Sequence, residues 1–295
     1  MLRLPLEDIH AVLDHLPLDT LQKLACVSSL YRVVVINYLN RRKSTLFAKH
    51  VEDITTFNDM LRHTGSVVSG SLALQLILPR ASINWLDTDM DIYVSLPQKS
   101  TVVSFLLDRR YVEVNTKHAS SYYPLSAIHS VVTMVKETKR VDVVISNTID
   151  AIYPIFQFHS TPVMNYIGAD ALFSAYPDLS TSFWGLDNFS SSRRSGDSIE
   201  YMRARAKYKR RGFNIQIACA PCDVKVMGEH VSQGYTHCRR VIRTSDDIDC
   251  LRMSLDATKL PEDKSKEGDA VVVWSLQGPC SSDVPVKRSV RLIVV

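Results

Sequence analysis

From residue 4 to about residue 49 the apolar positions repeat at helical spacing: Leu6, Ile9, Val12, Leu13 and Leu16, then Leu18, Leu21, Leu24 and Ala25, then Leu30 and Val33 onward. The pattern predicts short helices in series, with Pro5 suited to a first helical position, Pro17 breaking the run, and Asp19 or Thr20 capping the next helix. A polar helix over 51–62 follows, and then the period changes. "SVVSG" reads as a short strand ending in Gly70, "SLALQLILP" as an amphipathic helix stopped by Pro79, "MDIYVSL" as a strand, and 100–109 as a helix. "IHSVVTMVKETKRVDVVIS" reads as two strands joined by a polar turn at 137–139. Beyond Asn147 the apolar stretches "IDAIYPIFQF" and "MNYIGADALFSAY" predict helices, "SSSRRSGDS" a loop, and "YMRARAKYKRRGF" a basic helix ended by Gly212. "DAVVVWSLQG" and "KRSVRLIVV" predict strands around a polar "PEDKSKEGD" loop, and no repeat is present. The expected class is α+β: a helical module over 1–48, a connecting helix over 49–65, a mixed-sheet domain with a helical extension over 66–215, and a partly β extension over 216–295.

Composition changes this picture little. With 45% apolar and 22% charged residues over 295 positions, the chain has the make-up of a globular protein able to bury a core, and wholesale disorder is excluded. A formal net charge of +4 permits binding to phosphates without compelling it. Six cysteines are too sparse for a disulfide scaffold at this length, which points to a reducing compartment. Glu7 and Asp8 interrupt any apolar run that could serve as a signal peptide, and no stretch approaches a membrane span. The expectation is an intracellular protein, cytoplasmic or nuclear, with no membrane association.

Chemistry concentrates in "DTDMDIYV", which places Asp87, Asp89 and Asp91 at every second position of a strand, so that their side chains leave the sheet on one face. Parallel carboxylates at that spacing repel unless water or a cation intervenes. The strand is therefore either a solvated edge or part of a divalent-cation site. Asp142 alternates with Val141 and Val143 on a later strand, and if that strand lies beside 89–94 then Asp89, Asp91 and Asp142 converge as metal ligands. Hard oxygen ligands select Mg²⁺ or Mn²⁺. Gly70 and Ser71, at a strand-to-helix turn, form the complementary half: glycine admits a ligand close to the backbone, and the helix N-terminus attracts phosphate.

Other groups carry less. Cys219 and Cys222 form a CxxC followed by His230, His237 and Cys238, a spacing that fits a zinc site loosely and a turn between strands equally well. The basic run Arg203, Arg205, Lys207, Lys209, Arg210 and Arg211 spreads around a helix, as a solvated surface does, though one or two of its members can reach a triphosphate; contact with nucleic acid stays open. His118, His129 and His159 lack an accompanying nucleophile motif and read as structural.

Two family resemblances follow from these residues. "LPLEDIHAVLDHLPLDTLQKLACVSSLYRVVV" resembles the F-box, through Leu4-Pro5-Leu6-Glu7, Leu16-Pro17-Leu18, the segment 24–28 and Tyr31-Arg32, where many members place Trp-Arg. That resemblance implies docking on a Skp-family adaptor of a cullin-RING ubiquitin ligase through Leu4, Pro5, Ile9, Leu16, Pro17, Leu21 and Leu24. The order strand, Gly70-Ser71, helix, Thr88-Asp89-Met90-Asp91-Ile92 and Val141-Asp142-Val143 is similar to the DNA-polymerase-beta-like nucleotidyltransferases. It implies catalytic and metal-binding roles for Asp89, Asp91 and Asp142, contact of Gly70 and Ser71 with a nucleoside triphosphate, and Mg²⁺ as cofactor. Asp87 adds a carboxylate at the same period, and the loop over 78–88 is longer than in compact members. The expected function is an F-box-type adaptor that carries a nucleotidyltransferase-fold domain; the alternative is a Mg²⁺-dependent enzyme moving a nucleotidyl group from a nucleoside triphosphate to an acceptor.

Overall fold

The computed structural model describes residues 5–85, 89–118, 127–188, 199–216, 241–259, 271–276 and 291–293. Three helices open the chain, α1 (Leu6–Leu13), α2 (Leu18–Val27) and α3 (Ser29–Phe47). Pro17 separates the first two, and Ser28 caps the third by accepting a hydrogen bond from the Tyr31 amide. Helix α4 (Ile54–Thr64) is capped by Asp53 and ends at Gly65, whose φ of 62° supplies the left-handed turn.

The sheet elements then come in quick succession: β1 (Val67–Ser69), α5 (Gly70–Ile77), β2 (Asp89–Val94), α6 (Lys99–Leu107), β3 (Val112–His118), β4 (Ile128–Lys136) and β5 (Lys139–Ser146). After them lie β6 (Asn165–Ile167), β7 (Ala171–Ser174), α7 (Pro177–Thr181), β8 (Trp184–Leu186), α8 (Ile199–Arg210), β9 (Asn214–Gln216), β10 (Arg243–Thr244), β11 (Leu251–Ser254), β12 (Val271–Trp274) and β13 (Arg291–Ile293). Among the described residues eight strands form one sheet in the order β11-β7-β6-β1-β2-β5-β4-β3. Within it β2 and β5 run parallel, and every other neighbouring pair is antiparallel. The class is α+β.

This order places β2 inside the sheet, between β1 and β5, so the solvated-edge reading of the aspartate strand is corrected. Its alternation divides the sheet cleanly. Met90, Ile92, Val94, Val141, Val143 and Ile145 point into a core shared with the helices, while Tyr93 and Val144 point to the opposite face and pack with Ile155, Phe156, Phe173 and Trp274.

The helices expected beyond Asn147 are also corrected. "IDAIYPIFQF" contains a single 3₁₀ segment, Tyr153–Gln157, and "MNYIGADALFSAY" is the hairpin of β6 and β7, closed by the Gly168 amide donating to the Ala171 carbonyl at 2.8 Å. A short continuous apolar run fits a doubly buried strand as well as a helix, and here the free edge of β1 takes it up as β6.

Leu13, Leu18, Leu21, Ala25, Val35, Ile36, Leu39 and Phe47 of α1–α3 belong to the same core as Leu72 and Leu76 of α5 and Met90 of β2. Polar anchors reinforce the seam. Arg42, only 6% exposed, donates to the Gln75 and Leu78 carbonyls at 2.7 and 3.0 Å, satisfying the C-terminal end of α5. Lys43 Nζ donates to the Ala169 carbonyl in the β6–β7 turn at 2.6 Å, and Asn40 to the Leu255 carbonyl at 2.9 Å. Among the described residues no helix is long and apolar enough to cross a membrane.

Candidate metal centre

The parallel pairing of β2 with β5 sets Asp91 level with Asp142, and the antiparallel pairing with β1 sets it level with Ser69. Asp89 lies two residues before Asp91 and so shares its face. One carboxylate oxygen from each of Asp89, Asp91 and Asp142 lies within 4.8 Å of the others. The convergence expected from the sequence is therefore present. Asp142 is buried, while Asp89 and Asp91 are half-buried and reach solvent.

Gly70 completes the wall on the β1 side. Its φ of 70° is one an L side chain rarely adopts, and a Cβ at that position would lie 2.5 Å from Asp91 Oδ2. The absent side chain makes the room that the Asp91 carboxylate occupies. Three hard oxygen donors in such a cradle fit Mg²⁺ or Mn²⁺ in ligand type.

Asp142 is already engaged within the protein. Its Oδ1 accepts from the Thr133 hydroxyl on β4 at 2.7 Å, and its Oδ2 accepts from Arg140 Nε and Nη2 at 3.1 and 2.7 Å. The Asp142 hydrogen bond, against some desolvation and with the added field of Asp89 and Asp91, holds the Arg140 guanidinium above its ordinary pKa. Behind Asp91 on β2, Tyr93 is buried; desolvation, and then the Asp91 charge, push its phenol up.

The start of α5 meets the basic helix. Ser71 is 5% exposed, and its hydroxyl lies 2.8 Å from the Tyr208 hydroxyl and accepts from Arg211 Nη1 at 2.8 Å. The Arg211 guanidinium lies 5.1 Å from the Trp85 ring centroid and 5.3 Å from that of Tyr208, so two aromatic faces hold it beside the Gly70-Ser71 turn. Arg203, Lys209 and Arg210 are exposed, as on a solvated helix, but Arg211 leaves the helix end and turns inward. His159 helps seat α8, with its ring 5.4 Å from that of Tyr208; burial, with Arg205 and Lys207 adding to it, lowers its pKa to about 4, so the imidazole is neutral.

Sequence reasoning gave no role to Arg140 or Thr133 and did not single out Tyr208. Arg140 had a visible signal, since it alternates with Asp142 on a strand and must share its face. Thr133 and Tyr208 arrive through pairing and packing across the chain and had none.

Pro5 is exposed, Pro17 is half-buried, Ile9, Leu16 and Leu24 pack partly against the core, and Leu21 is 1% exposed within it. The rings of His118 and His129 meet edge-on at 6.0 Å on β3 and β4. Leu4, Asp87, Cys219, Cys222, His230, His237 and Cys238 lie outside the described residues. Comparison of the chain with protein-family models, with curated proteins and with solved structures finds no match.

Proposed function

We propose that the sheet carries a metal-dependent nucleotidyltransferase site of the DNA-polymerase-beta-like kind, acting on a nucleoside triphosphate and a hydroxyl-bearing acceptor. The observation that carries this reading is the meeting of Asp89, Asp91 and Asp142 within 4.8 Å, beside the helix that Gly70 and Ser71 begin. The order β1, Gly70-Ser71, α5, β2, β5, with β1 antiparallel and β5 parallel to β2, supports it.

The division of labour follows from the positions. Asp89, Asp91 and Asp142 would hold Mg²⁺, which supplies neutralisation of the triphosphate charge and acidification of the acceptor hydroxyl. The α5 N-terminus with Ser71 and Arg211 would bind phosphate oxygens, the backbone amides through their dipoles and Arg211 through its fork of donors. Tyr208 and Trp85 keep that fork in place. A thermal-shift series on the full chain tests the reading, with ATP, GTP, CTP or UTP, each with and without Mg²⁺. At saturating ligand at least one nucleotide should raise the midpoint by several degrees, and only when Mg²⁺ is present. A flat response to all of them refutes the assignment.

A second reading, the Skp-docking adaptor, rests on apolar residues that the fold leaves exposed on α1–α3: Val12 (56%), Val27 (68%), Leu30 (53%) and Val33 (42%). Leu30 and Val33 share one helical face. Ile9, Leu16, Leu21 and Leu24 serve the chain's own core, so a partner would be met chiefly by Pro5 and these exposed residues. Capture of a purified Skp-family adaptor by the full chain, lost in Leu30→Asp, is the expected result for this reading; no capture by the unaltered chain removes it.

A further inference from the structure

Asp142, the β5 member of the acidic trio, has a cation on its own strand. Arg140 lies two residues before Asp142 on β5, in register with Asp89 across the parallel pair, so its side chain rises from the same face as the carboxylates. Two of its N–H groups converge on one oxygen, Asp142 Oδ2. The other oxygen is held by Thr133. A divalent cation drawn to Asp142 therefore meets a carboxylate whose Oδ2 already faces a guanidinium, and like charges oppose their joint occupation of that oxygen.

We propose that Arg140 is a resident counter-ion that competes with the divalent cation for Asp142, setting the cation concentration at which the site loads. The inference deepens the metal reading above and rests on it. Three features make the exchange workable. The Arg140 side chain is 53% exposed, so it can turn to water when displaced, whereas the Asp142 side chain, at 11%, stays where it is. Thr133 keeps hold of Oδ1 throughout and preserves the orientation of the carboxylate. Finally, the arginine half of the pair is open to water, which screens the attraction enough for it to be given up reversibly. Without metal, the guanidinium relieves the mutual repulsion of Asp89, Asp91 and Asp142; with metal, that relief is no longer needed.

The test measures Mn²⁺ binding to the full chain by the loss of the free-ion electron paramagnetic resonance signal, for the unaltered protein, Arg140→Gln and Arg140→Lys. Removing the charge should tighten Mn²⁺ binding about fivefold, the scale set by a partly exposed ion pair. Arg140→Lys, which keeps the charge, should stay closer to the unaltered protein. A purely structural role for Arg140 moves the melting midpoint instead, which is recorded in parallel. Equal or weaker binding by Arg140→Gln overturns the proposal. Binding by Arg140→Gln alone upholds it while removing the metal from the unaltered protein's function, and binding by none of the three overturns both readings.

Discussion

Gly70→Ala is expected to lower the stability of the protein by about 2 kcal/mol and to abolish the Mg²⁺-dependent nucleotide binding proposed above. Two effects add. At a φ of 70° an alanine pays about 1 kcal/mol that glycine does not. The new Cβ would also lie 2.5 Å from Asp91 Oδ2, a separation that no side chain tolerates. The Asp91 backbone is fixed, because β2 is an interior strand paired on both sides at that residue, so the side chain is the part that has to yield. The carboxylate must leave the trio or the α5 turn must open, and either movement dismantles the site. The double variant Gly70→Ala/Asp91→Ala separates the two effects. Without the carboxylate the clash is gone, so urea denaturation should recover roughly half of the lost stability, about 1 kcal/mol, while nucleotide-dependent thermal stabilisation stays absent. Equal stability in single and double variants, once the effect of Asp91→Ala alone is subtracted, would show that backbone strain alone governs the position.

Phe47→Ala is expected to cost about 3–5 kcal/mol and to lower one transition of the whole chain. Phe47 ends α3, is fully buried, and packs edge-on against Phe57 at 5.2 Å. Its cluster runs without interruption from Leu13 through Leu72 to Met90 and Val141, so a cavity at Phe47 weakens the attachment of the N-terminal helices and the support of the sheet together. Helical circular dichroism and tryptophan fluorescence should therefore shift to lower denaturant in step. Loss of helical signal well before the tryptophan change would mean that α1–α3 unfold as a separate unit.

Shared packing also explains why residues chosen from the sequence as a docking face took different places. The F-box resemblance assigned Ile9, Leu16, Leu21 and Leu24 to a partner, out of a helical pattern that also contains Val12, Leu30 and Val33, and apolar positions on such short helices need a covering surface. Here the chain itself covers them, and Val12, Val27, Leu30 and Val33 stay outside. Which apolar residues face inward depends on how many neighbours a helix has, and no local pattern carries that number.

The acidic site divides along the same line. That Asp89 and Asp91 share a face, and that Gly70 opens a helix after a strand, was legible in the sequence, because strand alternation and glycine's conformational range act over a few bonds. The pairing of β2 with β5, which brings Asp142 to Asp91, joins residues 51 positions apart, and the contact of Arg211 with Ser71 joins residues 140 apart. Segment 164–176 became a hairpin rather than a helix because β1 had an open edge to satisfy. Local sterics thus determined which side chains could act together within an element; which elements meet was decided by burial and hydrogen-bond satisfaction across the whole chain, and only the folded arrangement contains that.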